Sequence, residues 1–156
     1  MIEKLYNLGF DFPFKIGSTR DEIIDKLGKP DKETFADPYL KHGLILSYNI
    51  YDELDEITAT TMQNGSTYKG ILFGVKIGDS VSKCSEIWGD SSYTEDKRYG
   101  YLTKVWNFGE INKTGILFVA VEYWNENGEE DGFGKYEIGQ IKSIKIQIDD
   151  ETPELI

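Results

Sequence analysis

The chain has 156 residues and a net charge of −11, with 28 acidic against 17 basic side chains. Its length suits one domain with an ordinary core, and its acidic balance argues against direct contact with nucleic-acid phosphates. A single cysteine excludes an internal disulfide, and no apolar run approaches membrane-spanning length. Because residues 1–4 also lack the basic start of a signal peptide, we expect a cytoplasmic protein that binds neither nucleic acid nor membrane directly.

One short segment occurs twice. Residues 12–30 read FPFKIGSTRDEIIDKLGKP, and residues 73–91 read FGVKIGDSVSKCSEIWGDS. The two segments align without a gap at a constant offset of 61 positions, which places Gly17 on Gly78 and Gly28 on Gly89. The sequence therefore predicts two copies of one structural unit.

Each copy carries the signals of a short helix. Ser18 and Asp79 are suitable N-cap residues, because their side-chain oxygens can accept from free amides of the first turn. Gly28 and Gly89 suit the left-handed C′ position after the last helical turn, and Pro30 prevents the first helix from continuing. Helices of this length are unstable in isolation, so both are predicted to pack on a sheet.

The rest of the chain reads mainly as strands, taken here in order. Residues 2–8 predict one helical turn or an edge strand. The extended or strand segments that follow are Phe10–Phe14, Glu33–Ala36, His42–Ile50, Glu56–Met62, Tyr68–Val75, Ser92–Thr94, Tyr101–Phe108, Gly115–Trp124 and Ile138–Ile148. His42–Ile50 reads as a central strand, and Gly115–Trp124, the most apolar run, is expected at the centre of the sheet.

Two helices and about seven strands predict an α+β fold. We expect two tandem helix-plus-strand repeats, about 12–72 and 73–148, that form one curved, mostly antiparallel sheet with the helices on one face. No linker divides the repeats, so residues 1–156 are predicted to be a single domain that ends in an acidic tail, 149–156.

The first copy, through Ile16-Gly17-Ser18-Thr19, Ile23 and Leu27-Gly28-Lys29-Pro30, resembles the small repeat of the SmpA/OmlA-type outer-membrane assembly lipoproteins. The second copy retains Ile77-Gly78-Asp79-Ser80 and Trp88-Gly89. The tandem arrangement resembles the β-lactamase inhibitor proteins, in which two such units form one concave sheet that grips an enzyme. This sequence lacks their signal peptide and disulfides and the lipidated N-terminal cysteine of the lipoproteins, so secretion, lipidation and β-lactamase binding are not carried over. An acidic, unlipidated chain of this kind is also similar to bacterial immunity proteins, which neutralise a toxin, often a basic nuclease, by covering it.

Catalytic and metal-binding patterns are weak. His42 lies in a predicted strand with no nucleophile or orienting group near it, and Cys84 shares an apolar helix face with Val81 and Ile87. The acidic loop 125–132 lacks the glycine and the flanking helix of an EF-hand, which leaves a weak cation site open. We predict no catalytic residue, no structural metal and no cofactor.

The leading hypothesis is a non-enzymatic inhibitor that binds a protein partner, with a basic toxin as the partner. Carboxylates would steer association and aromatic residues would supply affinity. The predicted partner-binding residues are Asp52, Glu53, Asp55, Glu56, Tyr123, Trp124, Glu126, Glu129, Glu130, Asp131 and Phe133. The alternatives are a small-molecule or peptide binder with a cleft between sheet and helices, and a hydrolase that uses a carboxylate pair.

Overall fold

The structure is a computed structural model that describes residues 2–32, 36–62, 66–96, 101–111, 115–124 and 137–149. Within these ranges it contains three α-helices, one 3-10 turn and seven strands. The helices are α1 (Ile2–Asn7), α2 (Arg20–Leu27) and α3 (Val81–Trp88), and the 3-10 turn is Leu40–His42. The strands are β1 (Ala36–Tyr39), β2 (Leu44–Tyr48), β3 (Leu54–Ala59), β4 (Tyr93–Asp96), β5 (Tyr101–Ile111), β6 (Gly115–Trp124) and β7 (Ile141–Asp149).

The seven strands form one sheet in the order β1-β2-β3-β7-β6-β5-β4, and every neighbouring pair is antiparallel. The predicted antiparallel sheet is therefore confirmed. β1 to β3 form one meander, β4 to β7 form a second, and the pairing of β3 with β7 joins them. The central strand is β7 rather than β6, because the last strand of the second meander turns inward to meet the first.

The core lies on one side of the sheet and receives side chains from all three helices. Leu5 of α1, Ile23 of α2 and Cys84 of α3 belong to the same buried cluster. The strand side chains that complete this cluster alternate along β2, β3, β6 and β7, as expected where one face of a sheet is covered. They include Leu44, Leu46, Ile57, Ala59, Leu117, Val119, Val121, Ile144 and Ile146.

Two predicted extended segments pack without joining the sheet. Phe10 makes one isolated bridge to Leu72, and Phe12 and Phe14 are buried with their ring centroids 5.5 Å apart. Their alternation therefore reflects aromatic side chains that enter the core, rather than a paired edge strand. Residues 2–7, for which helix and strand were both open, form α1.

The helix N-caps are one residue later than predicted. Thr19 Oγ1 accepts from the amide of Glu22 at 3.3 Å, and Ser80 Oγ accepts from the amide of Ser82 at 3.3 Å. Ser18 instead donates to the carbonyl of Lys15, while Asp79 accepts from the amide of Lys76. Both predicted cap residues thus stabilise the turn before the helix, because the chain bends once more before helical geometry begins.

Equivalent backbone bonds anchor the start of both helices to a strand. Gly17 N–H donates to the carbonyl of Leu54 at 2.8 Å, and Gly78 N–H donates to the carbonyl of Ile141 at 3.0 Å. Both glycines have strongly positive φ, 97° and 96°, which side-chain-bearing residues rarely adopt. The start of β3 therefore occupies the position beside α2 that the start of β7 occupies beside α3.

The helix ends correspond as well. Gly28 and Gly89 have positive φ values of 84° and 86°, but their ψ values of −176° and −167° place them outside the left-handed helical region that was predicted. The carbonyl of Gly28 accepts from Tyr39 Oη of β1 at 3.0 Å, and that of Gly89 accepts from Trp106 Nε1 of β5 at 2.9 Å. An aromatic side chain of the sheet therefore fixes the C-terminus of each helix.

The strand registers extend this correspondence across the sheet. Tyr48 of β2 pairs with Leu54 after a register shift that leaves Asp55 as an extra residue in β3. In the same way, Tyr123 of β6 pairs with Ile141 after a shift that leaves Lys142 as an extra residue in β7. Where β3 meets β7, Thr58 pairs directly with Lys145, its counterpart under this correspondence. The flanking pairs, Ile57 with Ile146 and Ala59 with Ile144, place the two strands about a local two-fold axis.

Candidate functional site

The sheet face opposite the core is lined by polar and half-buried apolar side chains, and we call it the open face. One row of direct strand partners crosses the whole sheet on this face: Pro38, Ile45, Thr58, Lys145, Ala120, Val105 and Tyr93. None of these residues belongs to the buried cluster that the helices cover. The described helices therefore leave this side of the sheet free of their packing.

A depression of about 380 Å³ lies on the open face over β4 to β7, and Thr58 of β3 also lines it. This volume falls within the roughly 300–1,000 Å³ of typical ligand sites. Its lining includes Tyr93, Thr103, Val105, Phe118, Glu122 and Ser143. Thr103 and Ser143 are each only 4% exposed and Val105 only 5%, although they lie on the face away from the core cluster. The open face therefore encloses side chains here instead of presenting a flat surface.

Two serine–glutamate pairs cross this face at corresponding positions. Ser143 Oγ donates to Glu122 Oε1 at 2.5 Å, and Ser47 Oγ donates to Glu56 Oε2 at 3.2 Å. Glu56 also forms an ion pair with Lys145 at 3.3 Å. Lys145 is thus engaged by a carboxylate outside the lining of the depression, whereas Glu122 lies within it.

Thr103 has the least satisfied side chain of the depression. Its Oγ1 is buried and has no hydrogen-bond partner in the part of the chain that the structure describes. A buried hydroxyl without a partner costs about 1–3 kcal/mol, so such groups are rare in native structures. Thr103 lies directly opposite Glu122 in the pairing of β5 with β6. An unsatisfied hydroxyl and a carboxylate therefore lie side by side in the depression.

The predicted acidic residues of the first meander lie mostly at a turn. Asp52 has a φ of 57° and its carbonyl accepts from the amide of Arg20 at 2.8 Å, so it positions α2. Glu53 Oε1 accepts from Asn49 Nδ2 at 3.3 Å, and half-buried Asp55 is the extra residue of the register shift. Of the four, Glu56 is the residue that lies on the open face.

The two predicted aromatic residues of β6 are both buried. Tyr123 is 8% exposed and belongs to the core cluster on the helix side. Trp124 is 4% exposed and lies at the end of β6, with Tyr101 at a ring-centroid distance of 6.0 Å and Lys142 Nζ at 5.8 Å. In this structure neither side chain is a freely exposed surface anchor.

The two sets of predicted residues are not brought together. β3 and β7 are antiparallel, and so are β7 and β6, so the start of β3 and the end of β6 lie at opposite ends of the strands. The remaining predicted residues lie outside the described residues: Glu126, Glu129, Glu130, Asp131 and Phe133. Their proposed role in partner binding stays a prediction.

The residues considered for catalysis occupy different environments. His42 lies in the 3-10 turn before β2 instead of in a strand, because Gly43, with a φ of 69°, reverses the chain there. It lines a second cavity of about 720 Å³ together with Asp11, Lys41 and Tyr68. Cys84 is fully buried as predicted, and burial raises the pKa of its thiol to about 12. A thiol in this state is a poor nucleophile at neutral pH.

Metal-binding clusters and membrane-spanning helices are absent from the described ranges. These contain no group of three or more histidine, cysteine or carboxylate side chains placed to hold a metal ion. None of their helices is long and apolar enough to cross a membrane. The candidate cation loop 125–132 lies outside these ranges.

Sequence reasoning missed Thr103, Ser143 and Lys145. Alternation along Tyr101–Phe108 and Ile138–Ile148 marks these positions as the less apolar side of their strands. That pattern could have grouped them, but it does not say which strands are neighbours. The depression exists because β7 lies beside β6, and β6 beside β5.

Comparisons with protein-family models, with curated proteins and with solved structures found no match for this chain.

Proposed function

We propose that this protein is a non-enzymatic inhibitor that binds a basic protein partner, of the kind a toxin would be, through the open face of its sheet. The observation that carries the proposal is that the described helices pack against one face of the sheet, while the other presents a seven-strand surface with a depression. Half-buried apolar side chains such as Ile45 and Phe118 alternate there with charged ones. Apolar centres with polar surroundings are typical of protein interfaces.

We further propose that two tandem copies of one unit build this surface and curve it around the partner. The support is the matching of local geometry. Each helix follows a glycine with positive φ, and the carbonyl of the glycine at its C-terminus accepts a hydrogen bond from an aromatic side chain of the sheet. Both units also carry the same register shift and a serine–glutamate pair. Fusing two copies about a local two-fold axis doubles the width of the sheet available to a partner.

Charge complementarity selects the partner. The net charge of −11 creates a field that attracts basic proteins and raises their association rate. On the open face itself, Glu56 and Glu122 contribute carboxylates, and Lys145 contributes one positive charge. A basic surface is therefore favoured over an acidic one, and steering of this type weakens as salt rises.

The test compares one substitution at two places. Ile45 lies on the open face outside the depression, and Ile71 lies in the connection before α3, where its carbonyl accepts from the amide of Asp11. In a pull-down from the source organism, we expect a basic protein to be retained by the wild type and by Ile71→Lys. Ile45→Lys should weaken its retention by about tenfold or more, because it places positive charge inside the interface.

Two further measurements test whether this protein acts as an inhibitor of the retained partner. The retained protein should be toxic when expressed alone and harmless when this chain is present. Equal retention by Ile45→Lys and wild type would remove the open face from the interface. A retained protein that is acidic, or whose toxicity this chain does not reduce, would contradict the inhibitor role.

A small-molecule or peptide ligand is a second candidate function, and the enclosed depression favours it. This candidate predicts that a compound identified in a thermal-shift screen stabilises the wild type but not Ala120→Ile, which narrows the depression. Such a ligand, together with no retained protein, would favour this second function over the first.

A further inference from the structure

We propose that the depression on the open face is a pocket for one arginine side chain, with Glu122 and Thr103 as its hydrogen-bond acceptors. This inference rests on the proposed function, since the arginine would belong to the basic partner, but the pocket can be tested separately. The geometry behind it is the adjacent placement of a carboxylate and a buried, unpartnered hydroxyl, as seen within the described residues.

The carboxylate of Glu122 supplies the charge. Its Oε1 accepts from Ser143 Oγ at 2.5 Å, and this bond fixes the orientation of the carboxylate. Lys145 shares the lining of the depression but is bound to Glu56 at 3.3 Å, while Asp149 adds a second carboxylate at the rim. The lining therefore has an excess of negative charge, which favours a cation.

The hydroxyl of Thr103 supplies a second acceptor. Among the described residues it has no hydrogen-bond partner, and Thr103 is one of the side chains that line the depression. A donor that reaches it removes the cost of the unsatisfied hydroxyl. A guanidinium presents five N–H groups in a planar fork, so it can address Glu122 and Thr103 together, whereas an ammonium is a compact, strongly hydrated point charge.

The apolar lining suits the same group. Phe118 and Tyr93 supply aromatic surface in the depression, and Val105 lies between them on the neighbouring strand. Guanidinium groups stack on aromatic rings and are more weakly hydrated than ammonium groups. Arginine is therefore favoured over lysine.

The first meander lacks these features at the corresponding positions, which supplies an internal comparison. Strand register places Ile45 where the second meander has Ala120, and Ala36 where it has Thr103. Ser47 takes the place of Glu122, and its partner Glu56 takes the place of Ser143. Equivalent strand positions therefore carry different side chains in the two meanders, and substitutions taken from the other meander should leave the fold intact.

The test uses N-acetyl-arginine methylamide as the probe, with the full-length protein followed by amide NMR. We expect saturable shifts centred on Thr103, Ala120, Glu122 and Ser143. The citrulline analogue has nearly the same shape without the charge and should bind about tenfold or more weakly, because it loses the charge-assisted bonds. The lysine analogue should also bind more weakly.

Two variants are designed to weaken probe binding, and a third removes a carboxylate elsewhere as a control. Ala120→Ile fills the depression and Glu122→Gln removes its carboxylate, so both should weaken probe binding by about tenfold or more. Glu22→Gln removes a carboxylate from an exposed position of α2, on the side of the sheet away from the depression, and should leave probe binding within about twofold. Unperturbed spectra elsewhere in the protein establish that each variant is folded.

The outcomes separate this inference from the proposed function. Absence of saturable shifts, equal binding of arginine and citrulline probes, or unchanged binding by Ala120→Ile would overturn the arginine pocket. If the partner nevertheless binds and Ile45→Lys weakens it, the proposed function stands without the pocket. If the arginine probe binds as expected but no basic protein is retained, the result supports the arginine pocket and contradicts the inhibitor role.

Discussion

Arg20 and Asp37 form a bidentate ion pair between the start of α2 and strand β1. Arg20 Nη2 and Nε donate to the two carboxylate oxygens at 2.7 and 3.0 Å, and the Asp37 side chain is fully buried. The guanidinium also lies 5.3 Å from the centroid of the Tyr48 ring. In the second meander, Lys104 occupies the position of Asp37 and lies 5.5 Å from the ring of Tyr123. Each meander thus places one cation over a corresponding tyrosine.

This correspondence predicts that Arg20 and Asp37 can be replaced together, whereas replacing Arg20 alone lowers the stability. Arg20→Val leaves the carboxylate of Asp37 buried without its partner and should lower the free energy of unfolding by about 3 kcal/mol. Adding Asp37→Lys recreates the Val81 and Lys104 arrangement of the second meander and should recover much of that loss. Urea denaturation of the single and double variants measures both effects. Additive losses in the double variant would contradict the correspondence.

Buried Cys84 and half-buried Tyr68 are two of the groups that contribute to the response of the protein to alkaline pH. Burial raises the pKa of the Cys84 thiol to about 12, with a further rise from Asp79, and it raises the pKa of Tyr68 to about 12. Both groups are neutral when protonated, so the folded state holds their protons more tightly than the unfolded state. Their contribution to stability is complete below the unfolded pKa values and is lost as pH rises through the folded ones.

We therefore expect the free energy of unfolding to be insensitive to these groups at neutral pH and to fall from about pH 8 upward, where an unfolded thiol begins to ionise. Cys84→Ala should lose less stability than wild type between about pH 8 and 10, and Tyr68→Phe between about pH 10 and 12. Urea titrations at several pH values measure the slopes. Identical slopes in wild type and Cys84→Ala would contradict the raised thiol pKa.

At the scale of elements, the N-caps give the sharpest difference between sequence pattern and structure. Thr19→Ala removes the oxygen that accepts from the amide of Glu22 and should cost about 1 kcal/mol. Ser18→Ala removes only an exposed hydroxyl that donates to Lys15 and should cost a few tenths of that, about 0.3 kcal/mol. Thermal or urea denaturation measures the difference. A larger loss for Ser18→Ala would indicate that Ser18, and not Thr19, is the N-cap.

Element positions followed closely from local patterns. The strand predicted over Gly115–Trp124 has those same bounds in the structure, and Tyr101–Phe108 became the longer β5. Both segments with the recurring pattern contain the predicted helices, because their glycines and small polar residues act within a few positions along the chain. The Phe10–Phe14 segment was predicted to be extended at a sheet edge, but it does not join the sheet. Rings that enter a core produce the same alternation as a strand.

At the scale of the whole molecule, one core joins the two meanders. Ile23 of α2 is fully buried in the same cluster as Cys84 of α3, and the pairing of β3 with β7 crosses between them. The three tryptophans all lie in the second part of the chain, at positions 88, 106 and 124. Tryptophan fluorescence therefore reports on α3 and the second meander, whereas far-ultraviolet circular dichroism also reports on the first meander.

A shared core predicts cooperative unfolding. Ile23→Ala, in the first copy, should lower the free energy of unfolding by about 3 kcal/mol through a cavity in the core. Because the core is shared, the urea midpoint seen by tryptophan fluorescence should fall together with the midpoint seen by circular dichroism. A fluorescence midpoint that stays at the wild-type value would show that the two parts unfold independently.

The sequence by itself determined the positions of α2 and α3, most of the strands and the acidic balance, because these depend on neighbouring residues and on composition. Only the tertiary structure decided that β7 occupies the centre, that Tyr123 faces the helices, and that Thr103 lies beside Glu122. Each of these depends on which strands pair and which face the helices cover, and such contacts join residues far apart in the chain. β6 is apolar on both of its faces, so its residues alone could not indicate which face would remain open.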